Sequence, residues 1–294
     1  MYFWNIQVQT PSKDVICLWV LASFILIYSS FCKAESINFR LRSHQLHYQN
    51  TTTVDDVRAE IRFGQDIAAR ILGKIPLYDD DKINRYVNLV GHTLAQFSSR
   101  NELKFFFSVL DSPEVNAYSA PGGYVFITKA ALQVMQDESE LAAVLAHEIA
   151  HITERHIVKE FNIKGMDRSA ISSLSQIIGG NQDTPRIAFY QAIDQTMSVL
   201  FDKGYKQQDE LVSDKIATLL IATAGYDPMA LQRYLTRIQE LSEDSQINEL
   251  KTHPPTEQRA ISLNLLIRNE KLAQLHYPTA KKRFLKIMNS IGTL

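Results

Sequence analysis

The sequence predicts an α+β protein, mostly α-helical, with one long central helix and a small β-sheet. Three observations predict it. Apolar residues recur at helical spacing along most of the chain from Val54 onward. Between Lys104 and Thr128 the pattern changes to short runs rich in aromatic and β-branched residues. Just after that window lies Leu141–His156, LAAVLAHEIAHITERH, whose apolar residues Leu141, Val144, Leu145, Ile149 and Ile152 follow the 3.6 period.

The elements read in order as follows. Residues 35–53 form an irregular polar lead-in. Val54–Leu72 is expected as a helix with Val54, Val57, Ile61, Ala68, Ile71 and Leu72 inward, ended by Gly73 and Pro76. Asp79–Ser98 is a second helix with Ile83, Tyr86, Val87, Val90, Leu94 and Phe97 inward, its acidic start suiting the positive end of the helix. Lys104–Leu110, Val115–Tyr118 and Tyr124–Thr128 are expected strands, with turn chemistry at Ser119–Gly123. Lys129–Gln136 is a short helix leading to the long one, for which Asp137 and Glu140 offer a capping pair. Ser169–Ile178 and Ile187–Leu200 are expected helices around a polar, glycine-containing break, a pattern that suggests a mobile segment. Tyr205–Thr223 is a helix stopped by Gly225. Asp227-Pro228 opens another to about Leu241, and Thr256–Asn269 is a further one. A basic stretch, Lys281–Lys286, reads as a solvated helix.

The domain reading is 1–34 as a signal peptide or membrane anchor, 35–53 as lead-in, 54–270 as the main domain and 271–294 as a basic C-terminal tail. Val15–Phe31 carries no charge, follows Lys13 and precedes Lys33-Ala34-Glu35, which fits a secretory signal cleaved near Ala34. A retained anchor is the alternative, because the run is near the lower limit for a spanning helix. Cys17 and Cys32 would leave with a cleaved leader, so disulfides would not hold the mature chain together. A net charge of −1 gives no electrostatic case for a nucleic-acid partner.

The chemistry centres on His147-Glu148-Ile149-Ala150-His151, an H-E-x-x-H motif. Residues four apart on a helix stand roughly 5–6 Å apart at Cβ, so two such imidazoles can reach one zinc ion at about 2.0–2.1 Å. Glu148 is then placed to take a proton from the attacking water. Catalytic zinc takes three protein ligands. Downstream, Glu210 and Asp214 share one helix face that also carries Ala217 and Ile221. Glu210 as third ligand, with Asp214 orienting a histidine, would explain both carboxylates. The acidic start of a solvated helix would explain them too, and spacing alone leaves both open. His156 reads as a surface residue turned off the metal face. His92 reads as structural, and His44 and His47 have no evident partner.

H-E-I-A-H at 147–151 with E-L-V-S-D at 210–214 resembles the zinc metallopeptidases related to the CAAX prenyl protease. V-N-A-Y-S-A-P-G-G-Y-V-F at 115–126, A-G-Y-D-P at 224–228 and T-H-P-P-T-E-Q-R at 252–259 extend the resemblance over Val54–Arg259. It is greatest to the secreted periplasmic branch, the BepA and LoiP type. The resemblance implies a gluzincin-like fold and one Zn2+ per chain. It implies His147, His151 and Glu210 as ligands, Glu148 as general base and Asp214 as the acid behind a ligand. It places Asn116, Ala117 and Tyr118 on the strand that receives substrate, and His253 and Arg259 in an H-P…R element near the metal. There His253 would stabilise the oxyanion or occupy the open position of the metal; a loop histidine packed on Arg259's turn is the plain alternative. Leu211-Val212-Ser213 departs from the frequent E-x-E-A-D pattern but keeps the ligand and the aspartate. The implied activity is endoproteolysis of unfolded or misassembled cell-envelope proteins in the periplasm, with outer-membrane assembly machinery as a further partner. A weakly catalytic, chaperone-like assembly factor binding unfolded chains at a sheet edge is the competing reading.

Overall fold

The computed structural model describes residues 53–164, 184–241, 252–253 and 256–289. The apolar leader and the expected Ser169–Ile178 helix lie outside the described residues. Among the described residues no helix is long and apolar enough to cross a membrane.

Helix α1, Val54–Lys74, starts at a reciprocal cap. The Thr53 hydroxyl accepts the Asp56 N–H at 3.1 Å, and the Asp56 carboxylate accepts the Thr53 N–H at 3.0 Å. The helix runs through Gly73 and stops before Pro76, which pushes Ile75 into extended backbone. Its inward face is Glu60, Phe63, Ile67, Ala68 and Ile71, and the expected core residues Val54 and Leu72 lie outside it. Helix α2, Asp81–Ala95, is capped by Asp80, which accepts the Lys82 and Ile83 N–H groups. Ile83, Tyr86, Val87, Val90 and Leu94 are buried as expected; Phe97, beyond the helix end, is 36% exposed.

The sheet comprises β1 (Phe106–Leu110), β2 (Ala117–Ala120) and β3 (Tyr124–Thr128), in the order β1-β3-β2. β3 is central, parallel to β1 and antiparallel to β2, with Tyr118 opposite Phe126. β2 runs past its expected end, so the turn shrinks to Pro121-Gly122-Gly123. Gly123 has φ +106°, and a Cβ there would meet Lys104 O at 2.3 Å, so no other residue fits. The outer edge of β1 is closed by α2: Asn84 Oδ1 accepts the Val109 N–H at 3.0 Å and Asn88 Nδ2 donates to Phe107 O at 2.6 Å. β2 forms the other edge, beside the long helix.

Helix α3, Lys129–Val134, leads to α4, Glu138–Thr153. Asp137 caps α4 by accepting the Glu140 N–H, but Glu140 does not reciprocate. Its carboxylate takes the Gln136 N–H at 2.8 Å and pairs with Arg237 instead. All 16 residues of α4 are buried, so the periodic stripe expected of it has no wet counterpart. The alanines at 142, 143, 146 and 150 let neighbours approach on every side. Those neighbours include β2, α2, α7 (Gln207–Ala224) and α8 (Ala230–Glu240). α8 begins later than expected because Asp227 accepts the Met229 N–H and leaves Pro228 in a turn.

α4 is followed by α5 (His156–Glu160) after Arg155 turns the chain at φ 58°. α6 (Thr184–Ser198) runs into a π-helical turn, Val199–Lys203. α9 (Thr256–Asn269) has the expected bounds. α10 (Lys281–Met288) is basic but not merely solvated: Phe284 is fully buried in the main core and Arg283 pairs with buried Glu138. Glu138 also accepts the Tyr86 and Tyr226 hydroxyls at 2.6 and 3.0 Å. Arg283 itself stays largely exposed, so the two tyrosine hydroxyls, not the arginine alone, satisfy the buried Glu138 carboxylate.

Candidate metal centre

α4 presents His147 and His151 one turn apart, and α7 brings Glu210 to them. Burial of both helices forces the polar groups to find one another, since a buried charge without a partner is costly. The two Nε2 atoms stand 3.1 Å apart. Glu210 Oε2 lies 3.2 Å from His147 Nε2 and Oε1 lies 3.3 Å from His151 Nε2. His253 joins through Nδ1, 2.6 Å from Glu210 Oε2. One ligand atom from each of the four lies within 4.8 Å of the others. Two imidazole nitrogens facing each other share at most one proton, and among the described residues buried Glu210 Oε1 has no well-aligned hydrogen-bond donor. A divalent cation among them would satisfy every one of these atoms, and imidazole with carboxylate suits zinc.

Behind His147, Nδ1 lies 3.0 Å from Asp214 Oδ1, an ion-pair distance off the hydrogen-bond direction. Asp214 is gripped by Arg259, whose Nε and second terminal nitrogen donate at 2.8 and 2.6 Å. Burial alone would raise the Asp214 carboxyl; Arg259 outweighs it and brings it down to about 2. Burial would likewise lower His147, but the Asp214 and Glu210 carboxylates hold it at about 10. Glu210 is held well below the usual carboxylate range, the histidines around it outweighing its burial.

Behind His151 the surroundings are different. Burial dominates there and lowers its imidazole. His156 is not a surface residue: it is 7% exposed, and its Nδ1 lies 2.9 Å from His151 Nδ1. A continuous helix would carry residue 156 about 140° round from His151. The left-handed Arg155 breaks the helix and returns His156 to its neighbour; Arg155 Nε in turn lies 3.2 Å from buried Glu60. Burial pushes His156 down to about 2. Tyr205 stacks on the His151 ring, with centroids 3.8 Å apart and planes at 27°.

Glu148 is buried beside this cluster. Burial raises the Tyr205 phenol and the nearby Glu148 charge adds to it. The Tyr205 hydroxyl donates to Ser119 O on β2 at 3.5 Å, and Tyr118 stacks on Phe201 at 4.7 Å. Residues around the π-helical turn thus lie on the strand that the resemblance assigns to substrate. Gly204 holds them there: at φ +74°, its backbone packs so closely on Thr252 O that a Cβ would stand 1.7 Å away. Asn116, just before β2, folds its Oδ1 back on the Ala117 N–H at 2.9 Å. Among the described residues, buried Asn116 Nδ2 and Tyr118 OH make no well-formed hydrogen bond.

Residues 81–266 match the model of peptidase family M48. This chain belongs to peptidase family M48. It is 27% identical over 208 residues to the beta-barrel assembly-enhancing protease of Escherichia coli strain K12, covering 68% of this chain and 42% of that protein. It is 29% identical over 231 residues to the putative beta-barrel assembly-enhancing protease of Vibrio cholerae, covering 78% of this chain and 46% of that protein. A mitochondrial metalloendopeptidase of Arabidopsis thaliana is 28% identical over 153 residues, covering 52% of this chain and 29% of that protein. The chain therefore spans less than half the length of these curated relatives.

In this M48 chain the structure brings His147, Glu148, His151, Glu210, Asp214, His253 and Arg259 to one place, with Asn116, Ala117 and Tyr118 on the adjoining edge. Arg259 reaches the cluster through Asp214, its head 3.9 Å from Glu210. His92 is exposed and lies apart from the cluster, its Nδ1 2.8 Å from Asn88 O. Sequence reasoning missed His156 and Tyr205. The positive charge of Arg155 gave no hint of a left-handed turn, and Tyr205 read only as the first residue of a helix.

Proposed function

We propose that this chain is a zinc-dependent endopeptidase of the cell envelope that cleaves unfolded or misassembled proteins. The observation that carries the reading is the convergence of His147, His151 and Glu210, with Glu148 on the same turn of helix and an edge strand alongside. Bound zinc would polarise the scissile carbonyl and acidify the attacking water. Glu148 takes the proton of that water and delivers it to the leaving amine. Asn116–Tyr118 offer strand edge to an extended substrate, a mode that favours unfolded segments. His253, which rests on Glu210 Oε2, would cap the open side of a bound metal at rest and would donate to the oxyanion once displaced. Asp214, braced by Arg259, keeps His147 turned to the metal.

Envelope location and a link to outer-membrane assembly are supported by the names of the bacterial relatives and by the apolar run at 15–31. One observation favours a second reading, a binding factor with little turnover: Tyr205 and His253 both cover the site. A single experiment separates them. Metal analysis should find about one zinc per chain, and casein cleavage should stop on chelation. Glu148→Gln should keep the metal and the fold yet lose turnover by about 10²–10⁴-fold. Near-normal turnover in this variant would overturn the assignment of Glu148. Lost cleavage with intact envelope function in cells would favour the binding factor.

A further inference from the structure

We propose that His156 is a positioning residue that fixes the tautomer and direction of His151, by accepting the His151 Nδ1–H on its own Nδ1. The inference rests on the metal reading above. The 2.9 Å approach of the two Nδ1 atoms admits one proton, so one ring donates and the other accepts. If His156 donated, His151 would carry its proton on Nε2. That proton would point into the cluster, and the nitrogen could not ligate. If His151 donates, its Nε2 lone pair faces the cluster, and His156 carries its proton on Nε2.

The surroundings decide between these. His156 Nε2 lies 3.7 Å from Asp209 Oδ1, too far for a hydrogen bond but close enough for the carboxylate to favour an N–H there. On the other side, His151 Nε2 looks at His147 Nε2 and Glu210 Oε1, where a lone pair is what a cation needs. The ring planes of His151 and His156 stand at 73°, so the Nδ1–H meets its acceptor near the edge of the second ring. Ligating histidines normally give their outer N–H to a carboxylate or carbonyl. Here a neutral imidazole serves. It is delivered by the left-handed break at Arg155, which Glu60 holds through its ion pair. Asp209 biases His156 by its charge alone, without the paired hydrogen bonds by which Arg259 grips Asp214.

The test measures zinc affinity by competition with a chromophoric chelator, without reference to turnover. His156→Ala should weaken zinc binding about 10–100-fold. His156→Asn, whose Oδ1 can stand where Nδ1 stood, should recover most of the loss. A purely packing role would leave alanine and asparagine alike. Nitrogen–proton correlation of the imidazoles in zinc-loaded wild type should show His151 protonated on Nδ1 and His156 on Nε2. Wild-type zinc affinity in a folded His156→Ala, or His151 protonated on Nε2, would overturn the inference. A wild-type protein that binds no zinc would instead overturn the metal reading beneath it.

Discussion

His147 and His151 come from one motif, one helix and one depth of burial, yet the fold treats them oppositely. His147 stands between two carboxylates and is held charged at about 10 in the metal-free chain. His151 has an imidazole behind it and a phenol across its face, and burial lowers it. The motif specifies where the rings are. Their partners specify what they are electrically: Glu210 and Asp214, some sixty positions on, for His147, and His156, only five positions on, with Tyr205 for His151. Buried ion pairs make the His147 side stiff; a neutral contact and a stacked ring make the His151 side dependent on Arg155 and Tyr205.

The largest expected difference lies in the outer acids. Asp214→Asn would leave Arg259 buried without its carboxylate and should cost about 3–5 kcal/mol, read as a fall in the denaturant midpoint. Asp209→Asn, at a partly exposed carboxylate 3.7 Å from its imidazole, should cost under about 1 kcal/mol. Equal losses would break the comparison.

Next comes the pH dependence of the metal-free protein, where the histidines tilt stability in opposite directions about their ordinary value of 6.5. His147 is raised, so its contribution is complete below 6.5 and fades as pH climbs through about 10. His151 and His156 are lowered, so below 6.5 the unfolded chain takes protons that the folded chain refuses, and stability falls with falling pH. Each such proton is worth about 1.4 kcal/mol per pH unit. Urea melts of metal-free protein should therefore peak near neutrality, and His147→Ala should flatten the alkaline limb alone. Zinc binding at pH 7, followed calorimetrically in buffers of different ionisation heat, should release about one proton, from His147. Release of none would show that His147 is not charged.

The smallest effect is reserved for Tyr205→Phe. It keeps the ring on His151 and loses one long hydrogen bond, so stability should move by no more than about 0.5 kcal/mol. A large loss would mean that the hydroxyl, not the ring, secures this side.

Much of this was legible beforehand, for identifiable reasons. The helix face at Ile83–Leu94 and the helix stop at Gly225 depend on local chemistry, and the residues state it. Glu210 and Asp214 were legible as a pair of acids on a core-facing stripe. The misplaced features depend on tertiary context. α4 is buried all round, so its period understated its burial. Residue 156 was extrapolated along a helix that Arg155 had already broken. The basic stretch at 281–286 hid Phe284, one aromatic among charges that fills the core beside Tyr86.

Gly204 has a mechanical consequence. Its backbone rests on Thr252 so closely that no side chain fits between them. Tyr205, the next residue, lies on the edge strand, and His253, next to Thr252, lies on Glu210. A side chain at position 204 would therefore press on both segments at once, the one that carries Tyr205 to the strand and the one that carries His253 to Glu210.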